Sequence, residues 1–222
     1  MYKFLTGIFE QFADLIYKQK CVVCGCSKTN EILCKNCLKT VHNLSPFAQR
    51  KVEGVNIFCA CKYEGAVKNL ITNFKFNGRK NAAIPCAQIL YKYFTEVVKS
   101  NDLDLNPKNA LLICIPSHRL RVLKRGYCHT ELILKEFSNL SKIPYDLKII
   151  KKVKNTLPQY KVRADKRAKN VSGAFKIAPN RARGKTLILI DDITTTGATL
   201  FEAVSNLKKQ KYDNIICFTL AC

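Results

Sequence analysis

Two segments of this chain read as strands with apolar neighbours on both faces. ALLICIP, residues 110–116, and TLILIDD, residues 186–192, each carry a continuous apolar run that stops abruptly, as a strand covered by helices on both sides should. Each leads through a loop into helical periodicity, over 127–139 and about 198–210, and NIICFTL predicts a last strand over 214–220. Strands alternating with helices predict an α/β fold with a parallel sheet flanked by helices. Further helices are predicted from Ala66 to about Asn73 and over 82–99, with a break at Gly78 between them. Phe4, Leu5, Ile8, Phe9, Phe12, Leu15 and Ile16 recur at helical spacing and predict an amphipathic helix over 3–17. Docking onto the core is its first reading and peripheral contact with a membrane surface its second. Residues 40–62 suggest no clear element, and the basic, poorly periodic stretch 151–170 is expected to be a mobile loop.

Size and charge narrow the picture. A chain of 222 residues with 47% hydrophobic content can bury a core of its own, so one main domain over 46–222 is expected, preceded by a small unit over 1–45. Lys and Arg number 38 against 16 Asp and Glu, a formal charge of +22. That excess exceeds what solubility needs and predicts an anionic partner: nucleic acid, an acidic membrane or a phosphorylated small molecule. Several of the twelve cysteines, Cys114 and Cys217 among them, sit in apolar runs, which fits a reducing, cytoplasmic setting better than a disulfide scaffold. No signal-peptide pattern opens the sequence, and no stretch approaches the roughly 18 apolar residues of a membrane span.

The cysteines at the N-terminal side are arranged differently. Cys21-x-x-Cys24 and Cys34-x-x-Cys37 make two pairs separated by nine residues, a spacing that can close a four-sulfur tetrahedron around a structural Zn²⁺. Cys26 could replace Cys24, and His42 is a weaker substitute.

The second centre of chemistry follows the strand at 186–192. Asp191 and Asp192 stand at its carboxyl end, where ligands bind in open α/β sheets. Thr194, Thr195, Thr196, Gly197, Ala198 and Thr199 then lead into a helix. Backbone N–H groups and hydroxyls of such a turn can donate to a phosphate, helped by the helix N-terminus, while the acids accept from ribose hydroxyls. Gly184-Lys185-Thr186 ends like a nucleotide-triphosphate loop, but Pro179 replaces its first glycine and a strand follows instead of a helix.

LILIDDITTTGAT closely resembles the signature of type I phosphoribosyltransferases. YEGAVKNLITNFKFNGRK at 63–80, IPSHRLRVLKRGYCHTELI at 115–133 and TLPQYKVRADKRAKNVSGAF at 156–175 resemble blocks of the ComF family, bacterial late-competence proteins with that fold and an N-terminal zinc ribbon. The resemblance implies binding of phosphoribosyl pyrophosphate with Mg²⁺ and of single-stranded DNA during natural transformation. It implies a pyrophosphate loop containing Ser117, His118, Arg121 and Arg125, and a mobile or nucleic-acid-binding block with Gln159, Arg163, Arg167 and Asn170. Tyr127-Cys128-His129 departs from the family's usual Asn-Gln pair after Gly-Phe. Two other readings stand beside this one. The chain could be an active transferase with an unknown acceptor, or a zinc-ribbon scaffold that docks a DNA-uptake channel or helicase and keeps a vestigial ligand site.

Overall fold

The computed structural model describes residues 20–27, 31–42, 48–52, 54–157, 162–182 and 184–222; the helix predicted over 3–17 lies outside them. After the first cysteine pair comes α1 (Lys35–His42), then a hairpin of β1 (Ala48–Val52) and β2 (Val55–Cys61). Next come α2 (Gly65–Phe76), a 3₁₀ turn (Lys80–Ala82) and α3 (Ala83–Ser100). Then follow β3 (Ala110–Cys114), α4 (Arg119–Arg125), α5 (His129–Ser141) and β4 (Ile150–Lys152). A 3₁₀ turn (Ala164–Lys166) leads to α6 (Arg167–Val171) and β5 (Phe175–Ile177), and β6 (Thr186–Ile193), α7 (Ala198–Lys209) and β7 (Ile215–Ala221) close the order.

The main sheet has the order β1-β2-β7-β6-β3. β2, β7, β6 and β3 run parallel, and β1 is an antiparallel edge. This is the predicted α/β architecture with one addition, the β1–β2 hairpin, which occupies the stretch that suggested no element. β6 is an interior strand, between β7 and the β3 edge: Leu187 lies across from Ile215 on one side and Leu111 on the other. Alternation along the strand sends Ile188 and Ile190 into a layer with α2, α3 and α5, while Leu187 and Leu189 join α7 and the β4–β5 pair on the opposite face. Leu187, Ile188, Leu189 and Ile190 are fully buried in these two layers, so the run 187–190 had to be apolar throughout.

Two predicted loops carry structure. The segment 117–125 contains α4, opened by the His118 ring accepting from the Leu120 N–H at 3.3 Å and closed by Gly126 at φ 82°. Its periodicity was invisible because Leu120 and Leu123 are exposed, so no buried stripe marks the helix. The basic segment from 151 begins inside β4, which pairs with β5, and ends in α6; three-residue strands are too short to show alternation. The first cysteine segment packs on the main domain. Val22, Val23 and Leu33 are buried in the same apolar layer as α2, and Asn73 Nδ2 donates to the Val22 carbonyl at 2.8 Å.

Candidate functional site

The alternation that organises β6 also separates its two acids. Asp192 follows the parity of Ile188 and Ile190 and meets Lys75 Nζ at 2.5 Å and His129 Nε2 at 2.6 Å, both on Oδ2. Its Oδ1 accepts from the Ile193 N–H at 2.7 Å. Asp191 follows Leu187 and Leu189, and its Oδ1 accepts from the Asp192 N–H at 2.9 Å. Both carboxyls are buried. Burial alone would push Asp192 up, but the Lys75 and His129 contacts outweigh it and hold the carboxyl below the usual carboxylate range. Asp191 is pushed well up, first by burial and then by the charge of Asp192. One ionised acid therefore stands beside one that resists ionisation.

His129 completes the arrangement. Arg125 Nη1 approaches its Nδ1 at 2.5 Å, which fits the neutral tautomer with its proton on Nε2, aimed at Asp192. Burial lowers the His129 pKa, with Asp192 opposing that shift.

Beyond Ile193 the chain turns through the threonines. Thr194 is buried and its N–H donates to Ala221 O at 2.9 Å, anchoring the loop to the end of β7. Thr195 and Thr196 are exposed. Gly197 adopts φ 79°, the left-handed conformation that a side chain disfavours, and its carbonyl accepts from Phe201 to start α7. Ala198 and Thr199 form the first turn, half-buried, where helix N–H groups have no partner four residues back.

The predicted basic residues divide. Arg167 Nη1 donates to Thr195 Oγ1 at 2.8 Å and its Nε to Val162 O at 3.1 Å, so the block around α6 touches the threonine loop. Arg121 donates to the Thr156 carbonyl, tying α4 to the same block. Asn170 accepts from the Leu157 N–H at 3.0 Å and donates to its carbonyl at 2.9 Å. Ser117 is half-buried just beyond β3, and His118 caps α4. Arg163 is not gathered in: it is exposed, 3.6 Å from Asp165 of its own turn. Gln159 lies outside the described residues.

Lys75, His129 and Lys152 were not predicted as site residues. Lys152, which reads from sequence as a solvated lysine, sits in β4 over the Phe175 ring and is pushed down to about 8 by burial and the nearby Arg121 charge. His129 was visible as a departure from the resembling block, but nothing in the spacing links it to Asp192. Lys75 belongs to the last turn of α2 and gave no signal.

The four cysteines form the second site. The sulfurs of Cys21, Cys24, Cys34 and Cys37 all lie within 4.8 Å of one another, and those of Cys24 and Cys34 are 3.8 Å apart. A covalent S–S bond needs about 2.05 Å, whereas four sulfurs about 2.3 Å from a tetrahedral ion stand about 3.8 Å apart. The backbone N–H of Cys37 favours the thiolate of Cys34 and lowers its pKa to about 6. This cluster could hold a metal ion. The side chain of His42 lies outside the described residues.

Residues 122–221 match the family model described as the phosphoribosyl transferase domain. The chain is 30% identical over 154 residues to "Competence protein F" of Haemophilus influenzae, covering 68% of this chain and 66% of that protein. It is 23% identical over 187 residues to "DNA utilization protein YhgH" of Escherichia coli K12, covering 82% and 81%. With "Competence protein ComFC" of Bacillus subtilis it shares 27% over 159 residues, 71% of this chain and 60% of the relative.

Proposed function

The chain belongs to the ComF family, with a phosphoribosyltransferase-like fold, and from that premise we propose that it binds phosphoribosyl pyrophosphate, or a similar ribose 5-phosphate ligand, and single-stranded DNA in support of DNA uptake. The carrying observation is the convergence of the Gly197 turn, the Arg167–Thr195 contact and the two buried acids at one end of β6. In this reading the N–H groups at the start of α7 and the threonine hydroxyls take the 5-phosphate. Asp191 and Asp192 face the ribose hydroxyls. Mg²⁺ accompanies the pyrophosphate and offsets its charge, and in the same reading Arg121 and Arg125 meet that group.

The formal charge of +22 supports a polyanion as second partner, and the names of the relatives, competence and DNA utilization, support DNA as that polyanion. Cys21, Cys24, Cys34 and Cys37 are proposed to hold a structural Zn²⁺, since four thiolates leave no open coordination position for catalysis.

Calorimetric titration with phosphoribosyl pyrophosphate, with and without Mg²⁺, tests the ligand. Saturable binding strengthened by Mg²⁺ is expected, and no binding under either condition overturns the reading. A second titration with oligothymidylate across a salt series tests the DNA. Affinity should fall steeply as salt rises, and an interaction indifferent to salt contradicts the electrostatic footprint.

A further inference from the structure

Lys75 sits 117 positions before Asp192 in the chain, yet the fold delivers its ammonium to the innermost carboxylate oxygen of the site, 2.5 Å away. The delivery is well determined. Val67, Leu70, Ile71 and Phe74 bury one face of α2, which fixes the helix rotation. Its last turn is then held at two further points. Asn73 Nδ2 donates to Val22 O at 2.8 Å, and the Tyr127 hydroxyl donates to the Phe74 carbonyl. The Phe74 ring also stacks on Tyr127 and meets the edge of His129, with centroids 5.8 and 6.1 Å apart. Lys75 emerges from this clamped turn with its side chain only 18% exposed. A long, flexible chain held in this way has given up rotamer freedom that a surface lysine keeps.

The charged and titratable groups around Asp192 come from several elements. α2 supplies Lys75, α5 supplies His129 with Arg125 behind it, β6 supplies Asp191, and α3 supplies the buried Cys86, whose thiol is pushed up by burial and then by the Asp192 charge. Cys86 and Asp191 oppose a negative charge on Asp192, His129 as a neutral ring offers only a hydrogen bond, and Arg125 stands one ring further away. Among the described residues Lys75 is the cation in direct contact.

We propose that Lys75 is a positioning residue of the ribose-binding site, fixing Asp192 as an oriented carboxylate so that the site keeps an ionised acceptor for the sugar hydroxyls. The inference rests on the phosphoribosyl reading and adds to it a residue outside the signature loop. Without Lys75 the same carboxyl would be buried beside a second acid with no cation in contact among the described residues. It would take up a proton and lose its value as an acceptor.

The test uses the full chain carrying Lys75→Met and Lys75→Arg, with ¹³C-labelled aspartate and the Asp192 signal identified by its loss in Asp192→Asn. In Lys75→Met the Asp192 titration midpoint should rise by about three pH units or more, to near pH 7. Affinity for phosphoribosyl pyrophosphate should fall about tenfold further at pH 6 than at pH 8, and Lys75→Arg should restore both readouts. If Lys75→Met does not fold, Lys75→Gln replaces it, since the amide keeps a donor and removes only the charge. Wild-type binding together with an unmoved Asp192 midpoint in the folded variant, or an equal loss of affinity at both pH values, overturns the inference and leaves the ligand reading intact. Absence of wild-type binding overturns the ligand reading itself, and with it any role for Lys75 in a ligand site.

Discussion

The end of β6 and the cysteine cluster both gather side chains that repel one another when ionised, but they are stabilised in different ways. At β6 the acids are placed by a buried parallel strand paired on both sides, with β7 and β3, and the compensating charge of Lys75 comes from a helix far away in the sequence. The cysteines sit in two short turns, on which Gly25 N–H donates to Cys21 O and Leu38 N–H to Cys34 O, both at 2.9 Å. Four sulfurs within 4.8 Å of one another have no built-in counter-charge among the described contacts, so a metal ion is the natural one. The first centre depends on the fold, whereas the second, with the proposed zinc bound, would help to make it.

Removal of the zinc proposed for the cysteine cluster is the strongest way to break this comparison. Stripping it with a chelator, or making Cys34→Ser with Cys37→Ser, should destabilise the protein by an amount on the order of 5 kcal/mol, because structural zinc contributes folding free energy directly. The opening should expose Val22, Val23 and Leu33, which share the main apolar layer. Hydrogen exchange would show protection lost first around 20–42, with β6 and β7 protected longest. A uniform loss across the chain would mean that the two centres form one cooperative unit.

Replacing the acids singly should have smaller effects, of opposite sign. Asp192→Asn removes the partner of Lys75 and should cost about 3 kcal/mol at pH 7, as breaking a buried pair does. Its folded-state pKa is depressed, so the stabilisation is present above the unfolded carboxylate value of about 3.9 and is lost as pH falls through the folded value. Asp191 is raised by burial and by its neighbour. Its contribution is complete below the unfolded value and is lost as pH rises through the folded one. Asp191→Asn should therefore raise the melting temperature at pH 7 and lose that advantage in acid, while Asp192→Asn does the reverse. Melting curves of both variants from pH 2 to 8 check the signs, and parallel curves would remove the distinction between the two acids.

These effects mark where the sequence was readable. The run Leu187–Ile190 announces a strand covered on both faces because every position must be apolar, and Asp191-Asp192 announces its end. The cysteine pairs are legible because metal ligation constrains spacing within a short segment. By contrast, α4 exposes Leu120 and Leu123, β4 and β5 have three residues each, and β2 reads VNIFCAC without alternation because all but one of its positions are buried. Those patterns carry no period to detect. Lys75 and His129 were hidden for another reason: their role is a tertiary contact with Asp192, and local spacing holds no record of a partner in another element. The parity of the two acids was available from strand alternation, but which helices lay on which side was not.

The smallest expected effect concerns Gly197, where fold and ligand make different demands on one residue. At φ 79° an added Cβ costs about 1 kcal/mol, because the left-handed region crowds a side chain against the backbone. Gly197→Ala should therefore lower the melting temperature only slightly, less than Asp192→Asn does. Its effect on phosphoribosyl pyrophosphate should be larger than its effect on folding, since the turn must let an anion approach the first N–H groups of α7. If affinity falls by no more than about tenfold, the equivalent of 1.4 kcal/mol, backbone strain is a sufficient explanation and the glycine serves the turn alone. A greater loss with the same small change in melting would place the phosphate against the backbone at Gly197. That outcome would sharpen the contrast with the cysteine cluster, where binding and folding should be inseparable.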